Sequence, residues 1–176
     1  MTTAYPDLIL LKGAPGVGKS TAAKLLAGHF PSGVRVEVDA LRQMVIGVNW
    51  KDQVDHRRIL TLSAQLAAGF LRSGFAPVIL IDTFSGDKIN GFLSAFRAEC
   101  PQSRVFIGVL YASDEVLRQR VIGREADGFR DIPITLRTNL ESVRDAQPFE
   151  TLIDTNNLSP IDVANAISAF LQGGSC

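Results

Sequence analysis

The stretch Gly13-Ala14-Pro15-Gly16-Val17-Gly18-Lys19-Ser20 decides how the chain folds. It matches the pattern G-x-x-x-x-G-K-[ST] at every fixed position. The apolar run Leu8 to Leu11 precedes it, and Thr21 and an Ala/Leu-rich helical stretch follow. Strand, glycine-rich loop and helix are the context this pattern requires. Glycines let the backbone wrap with its N–H groups turned inward, where a side chain would obstruct phosphate oxygens. The helix starting near Lys19 aims its positive end at the same anion. Lys19 is placed to reach terminal phosphates, and the Ser20 hydroxyl to reach Mg²⁺. The expected phosphate cradle is therefore Gly13, Ala14, Pro15, Gly16, Val17, Gly18, Lys19, Ser20 and Thr21.

Outward from this loop the pattern alternates. Leu8 to Leu11, Val34 to Val38, Val78 to Ile81 and Val105 to Leu110 read as buried strands, with Thr151 to Ile153 as a weaker fifth. Helical spacing fills the gaps. Ile59, Leu62, Leu66 and Phe70 form one stripe, and Val116, Leu117, Val121 and Ile122 form another. Ser159 before Pro160 marks a helix start, with Asp162 in capping-box position. Alternating strands and helices predict an α/β fold whose parallel sheet is covered on both faces. Ligands then collect beyond the carboxyl ends of the strands.

The 176 residues suit one domain spanning 1–176, and 46% hydrophobic with 20% charged residues excludes disorder, collagen and a long coiled coil. Eighteen basic against eighteen acidic residues argue against bulk binding of nucleic acid or an acidic membrane. Cys100 and Cys176 make neither a disulfide framework nor a Cys-rich metal site. No apolar run reaches the ~20 residues of a membrane span. A soluble cytoplasmic protein, monomer or homodimer, is expected.

The strand ends hold the chemistry. None of the five lysines sits in an Asn-Lys-x-Asp, and Asp82-Thr83-Phe84-Ser85 is not an Asp-x-x-Gly switch, so a GTPase is disfavoured and a small kinase remains. Asp39, at the second strand end, is suited to orient an acceptor hydroxyl and take its proton. Arg42 follows one turn later and could clamp an anionic part of the acceptor. Asp82 ends the third strand, a place from which it could hold Mg²⁺ through a water; Thr83 could touch the acceptor. Arg120 and Arg124 share a helical face at the base of a polar stretch, Glu125 to Asp131, that reads as a flap within a lid of about residues 123–137. From there they could neutralise a transferring phosphoryl. Arg130 and Arg137 are weaker candidates. His29 and His56 lack metal-ligand spacing, and His56 reads as part of a solvated helix turn. Trp50 falls in an irregular segment where an acceptor pocket would lie.

With Gly13 to Ser20, the Asp39-x-x-Arg42 pair, the apolar strand ending at Asp82 and the Arg120/Arg124 helix, the chain resembles the small AAA_33-type P-loop kinases. These include the kinase domain of polynucleotide kinase, the chloramphenicol phosphotransferases and, more distantly, gluconate and shikimate kinases. The resemblance implies a three-layer α/β/α P-loop NTPase fold with five parallel strands in the order 2-3-1-4-5 and a small lid. It also implies ATP and Mg²⁺, an acceptor-activating carboxylate at Asp39, lid arginines on the ATP phosphates, and adenine near Thr155-Asn156-Asn157, with Asn156 as a contact. The leading expectation is phosphoryl transfer to a hydroxyl of a small metabolite or antibiotic. A polynucleotide- or nucleoside-end kinase and a nucleotide-binding regulatory ATPase without an acceptor are the alternatives.

Overall fold

The structure, a computed structural model, describes residues 5–124 and 129–173. Five parallel strands form one sheet in the order β2-β3-β1-β4-β5: β1 Leu8–Lys12, β2 Val34–Glu37, β3 Val78–Ile81, β4 Val105–Tyr111 and β5 Thr151–Asp154. This is the expected order. Every residue of β1 and β3 is buried, as central strands covered on both faces require. Register sets β1 in the middle, with Leu8 opposite Val78 on one side and Val105 on the other.

Helices cover both faces. On one, Ile9 and Leu11 pack with Ala22, Ala23 and Leu26 of α1 (Lys19–Ala27) and with Ala164, Ile167 and Leu171 of α7 (Pro160–Gly173). On the other, Leu8 and Leu10 pack with Leu60, Ala64, Ala67 and Ala68 of α3 (Gln53–Arg72) and with Ile89, Phe92 and Phe96 of α4 (Lys88–Glu99). The core face of α3 is therefore rotated from the expected stripe: Leu62 is 51% exposed, and Ile59 only flanks the core. The large Phe92 and Phe96 rings of α4 occupy the interface, so the alanine side of α3 faces them and the helices approach closely.

Helix ends follow local chemistry. Asp52 caps α3 by accepting from the Val54 and Asp55 amides. The Ser159–Asp162 capping box is present: the Asp162 amide donates to Ser159 Oγ at 3.3 Å, and the Ser159 amide to Asp162 Oδ2 at 3.2 Å. Two further helices, α5 (Asp114–Ile122) and α6 (Ile132–Arg144), bracket the expected lid. Helix α6 takes up residues 132–137 of that span, because Asp131 caps it and Pro133 sits within the first turn. Residues 125–128 of the expected flap, and Cys176, lie outside the described residues. No helix among the described residues is long and apolar enough to cross a membrane.

Candidate active site

The loop between β1 and α1 passes over the carboxyl edge of the central strand. Gly13 has φ +141°, and a Cβ there would stand 2.2 Å from the Leu110 carbonyl oxygen of β4, so only glycine fits. Gly18 has φ +99° and caps α1 in the left-handed conformation, with open space where a side chain would project. That opening lies at the α1 N-terminus, where backbone amides and the helix dipole favour an anion. Lys19 Nζ meanwhile donates to the Gly13 and Ala14 carbonyls at 2.8 and 2.9 Å. Burial lowers its amine to about 8, against the opposing pull of Asp82, Asp39 and Glu37 and with that of Arg124. These four charged residues, from separate elements, are the electrostatic surroundings of the Lys19 ammonium.

Asp39 is not the end of β2. The strand stops at Glu37, whose extended backbone caps α2 (Val38–Gln43), and Asp39 occupies the first turn of that helix. Fully buried Val38 anchors the turn and leaves the Asp39 carboxylate 69% exposed. Partial loss of water and then the Asp82 carboxylate raise the Asp39 carboxyl, while Arg42, Lys19 and His56 oppose the shift. Its wide exposure means that solvent screens much of this effect.

Glu37 is a site residue that sequence reasoning passed over. Ser20 Oγ donates to Glu37 Oε2 at 3.2 Å, and Arg35 Nη1 lies 2.5 Å from the other carboxylate oxygen. Hard oxygen donors of this kind suit Mg²⁺, which makes Ser20 and Glu37 candidate donors for that ion. Among the described residues no group of three or more His, Cys, Asp or Glu side chains could hold a metal. Mg²⁺ in such a site takes most of its shell from water and phosphate.

Asp82 is buried and fully engaged. His56 Nε2 stands 3.2 Å from Oδ1, and the Phe84 amide donates to Oδ2 at 2.7 Å. Burial alone would raise the Asp82 carboxyl; the His56 hydrogen bond and charge, the Phe84 amide and Lys19 outweigh it and hold the group below the ordinary range. An ionised carboxylate only accepts, so Nε2 of His56 carries the proton between them. His56 is thus 6% exposed and not part of a solvated turn. The next residues turn sharply: Phe84 is buried with φ +48°, and Thr83 is half-buried beside it.

Arg42 is buried against Trp50. It is 7% exposed, its Nη2 donates to the Trp50 carbonyl at 3.0 Å, and its guanidinium carbon lies 4.4 Å above the Trp50 ring. Asp39 Oδ1 is 3.9 Å from Nη1. Arg42 therefore joins the Asp39 turn to the loop carrying Trp50.

On the far wall, Leu117 and Val121 anchor α5, and Val121 sits so close to the phosphate loop that a Cβ on Gly16 would meet it at 3.1 Å. The two arginines on α5 diverge. Arg120 donates to Thr155 Oγ1 at 3.0 Å and to the Thr155 carbonyl at 2.6 Å, clasping the turn after β5. Asn156 in that turn accepts from the Ser113 amide at 2.7 Å. Arg124 is the one within the field of Lys19; its Nη1 donates to the Phe129 carbonyl at 3.4 Å, and Arg130 donates to its carbonyl. Arg137 is exposed, 4.0 Å from Glu141.

No curated protein matches the chain in sequence. Among solved structures, it resembles the Deinococcus radiodurans tunicamycin resistance protein (TM-score 0.70, 24% identity, 93% of this chain and 94% of that one). A gluconokinase from Sinorhizobium meliloti follows the same path (0.67, 20%, 95% and 92%). So does the shikimate kinase from Acinetobacter baumannii (0.65, 20%, 97% and 95%). Likenesses at this identity show a shared fold. The AAA_33 family model, described as an AAA domain, matches residues 8–168, and with that span the chain belongs to the AAA_33 family.

Proposed function

We propose that the protein is an ATP-dependent phosphotransferase that moves the γ-phosphoryl group to a hydroxyl of a small molecule. The observation that carries this reading is the placement of the exposed Asp39 carboxylate within the electrostatic reach of Lys19 at the phosphate loop. A loop that binds phosphate explains Lys19; a neighbouring open carboxylate on a separate element needs an acceptor to explain it.

In this mechanism the loop amides and the α1 N-terminus hold the nucleotide phosphates, and Lys19 exchanges its carbonyl partners for phosphate oxygens. Mg²⁺, when bound beside Ser20 and Glu37, neutralises charge on the phosphates. Asp39 accepts the hydroxyl proton as the acceptor oxygen bonds to the γ-phosphorus and the bond to the ADP oxygen breaks. Asp82, fixed by His56 and Phe84, stabilises the Lys19 ammonium through charge. Arg124 faces the transferring group, while Arg120 and Asn156 shape the turn against which the base of the nucleotide would lie. The gluconokinase and the shikimate kinase named above are kinases of small molecules, which supports the reading.

The test is phosphate incorporation from labelled Mg·ATP across a library of hydroxylated compounds, run with native protein and with Lys19→Ala. Transfer by the native protein alone supports the reading. ATP hydrolysis with no acceptor dependence would replace it with a regulatory ATPase.

A further inference from the structure

Lys88 opens α4 and is 7% exposed. Its ammonium has three donors, but the hydrogen bond found for it goes to a neutral group, Ser85 Oγ at 2.9 Å. Among the described residues no carboxylate oxygen lies within 4 Å of it, in contrast to the other deeply buried lysine, Lys12, whose Nζ meets both Glu150 oxygens at 2.7 and 2.9 Å. Its position adds a second penalty, because a cation in the first turn of a helix opposes the helix dipole. A charge that is desolvated, against a dipole and without a counter-ion is unfavourable in the free protein.

Its surroundings show where it is directed. Burial lowers the Lys88 amine, Asp82 and Asp87 oppose that shift, and Arg57 and Arg42 reinforce it. The Arg57–Asp87 ion pair at 2.6 Å and the Lys88–Ser85 bond place Lys88 between the N-terminus of α3 and the turn after β3. The nearby carboxylates are committed elsewhere: Asp82 to His56 and Phe84, and Asp87 to Arg57 at 2.6 Å. Of the cations Arg42, Arg57 and Lys88, Lys88 is the one with no ion-pair partner among the described residues.

We propose that Lys88, held in place by Ser85, is a specificity-determining residue that receives an anionic group, a carboxylate or a phosphate ester, carried by the hydroxylated acceptor. The inference rests on the phosphotransferase reading and names its substrate class. The acceptor then completes two incomplete features together: its hydroxyl faces Asp39 and its anion neutralises Lys88.

The experiment uses the full chain and a library in which each hydroxylated acid or phosphate ester is paired with its neutral amide or dephosphorylated counterpart. Phosphate incorporation from Mg·ATP should favour the anionic member of a pair. Arms with carboxylates and arms with phosphate esters separate the two sources of charge. With the acceptor found, Lys88→Met should raise its KM about ten- to a hundredfold, as expected for a lost charge-assisted hydrogen bond, with a smaller change in kcat. Lys88→Arg should restore most of the affinity, and the stabilisation by Mg·ATP should be unaltered in both variants. Without any acceptor, Lys88→Met should melt no lower than the native protein, because it removes an unpaired buried cation. A clear drop in Tm would assign Lys88 to the fold and overturn the proposal. Preferential transfer to neutral acceptors would overturn it while leaving the kinase reading intact. Absence of transfer to every compound would remove that reading and this inference with it.

Discussion

His56 and Asp82, 26 positions apart, meet in a buried hydrogen bond of 3.2 Å that joins the first turn of α3 to the end of β3. The pair lowers a carboxyl that burial alone would raise. In the native protein the depressed Asp82 carboxyl contributes stability above the unfolded-state pKa, and that contribution is lost as pH falls through its folded value. In His56→Ala, burial is left opposed mainly by the Phe84 amide and Lys19. The carboxyl then rises and penalises the fold at neutral pH, a penalty relieved on acidification. Urea unfolding should show His56→Ala destabilised by about 3 kcal/mol near pH 7, the scale for breaking a buried pair. The deficit should narrow toward about pH 4.5. An equal deficit at both pH values would contradict the charge argument.

Lys19 supplies a titration of opposite character. Its folded pKa of about 8 lies below the 10.5 of a free lysine. The charged amine therefore burdens the free protein at neutral pH, and the burden is relieved as pH rises from about 8 toward 10.5. Bound phosphates favour the ammonium, so Mg·ATP should bind with proton uptake near pH 8 and more weakly above it. Calorimetry in two buffers of different ionisation enthalpy measures that uptake. Lys19→Met should abolish both the uptake and most of the nucleotide-induced rise in Tm, while the nucleotide-free protein stays at least as stable as the native one.

Legibility in the sequence follows the separation of the interacting residues. The phosphate loop is contiguous, each of its glycines has a local reason, and β1 before it and β3 beside it are unbroken apolar runs; these are readable. Asp39 was legible as a residue but not as a helix residue, because buried Val38 belongs equally to a strand run and to a helix anchor. His56 looked like one more polar residue in Asp55-His56-Arg57-Arg58, since nothing local reveals a partner in β3. Lys12 and Glu150, 138 positions apart, are hidden in the same way. The α3 face was misplaced by alanines, whose burial is decided by the rings of α4 rather than by their own hydrophobicity. A signal for Glu37 did exist: it precedes Val38-Asp39 at the same strand end as the candidate base.

Arg42 and Trp50 make a prediction with its own optical signal, because Trp50 is the single tryptophan. Arg42→Ala removes the cation above the ring and the hydrogen bond to the Trp50 carbonyl. Trp50 emission should shift to longer wavelength and become more accessible to iodide quenching. Arg42→Lys keeps the charge but not the planar stack, and should recover the emission only in part. Unchanged fluorescence in Arg42→Ala would show that the loop holds its place without the guanidinium.

The two arginines of α5 should separate in kinetics. Arg120 clasps Thr155, so Arg120→Ala should loosen the turn after β5, lower Tm and raise KM for ATP. Arg124 lies in the field of Lys19 and makes only a 3.4 Å bond to the Phe129 carbonyl. Arg124→Ala should lower kcat and kcat/KM together, by up to about 10³-fold for an arginine serving the transferring phosphoryl, with little change in Tm. Matching phenotypes in the two variants would reject this division.

In the proposed mechanism Asp39 takes the acceptor proton, and its variant is the most direct trial of that mechanism. Asp39→Asn keeps the size and part of the hydrogen bonding but loses the charge and basicity. The phosphate loop is built from β1 and α1, so stabilisation by Mg·ATP should survive the change. Acceptor phosphorylation should fall by about 10² to 10⁴, the usual worth of a general base. The pH profile adds a reading that a purely positional role would not produce. Because Asp82 and partial desolvation raise the Asp39 carboxyl, the native rate should climb as pH rises through that raised value, where the proton leaves the carboxyl. Asp39→Asn should lose this acidic limb and retain a low, flat rate across the same range. The measurement is kcat/KM for the acceptor from about pH 4.5 to 8 in both proteins. A near-native rate in Asp39→Asn, or an acidic limb that persists in it, would assign the carboxylate to the first turn of α2 alone and require another group to take the proton.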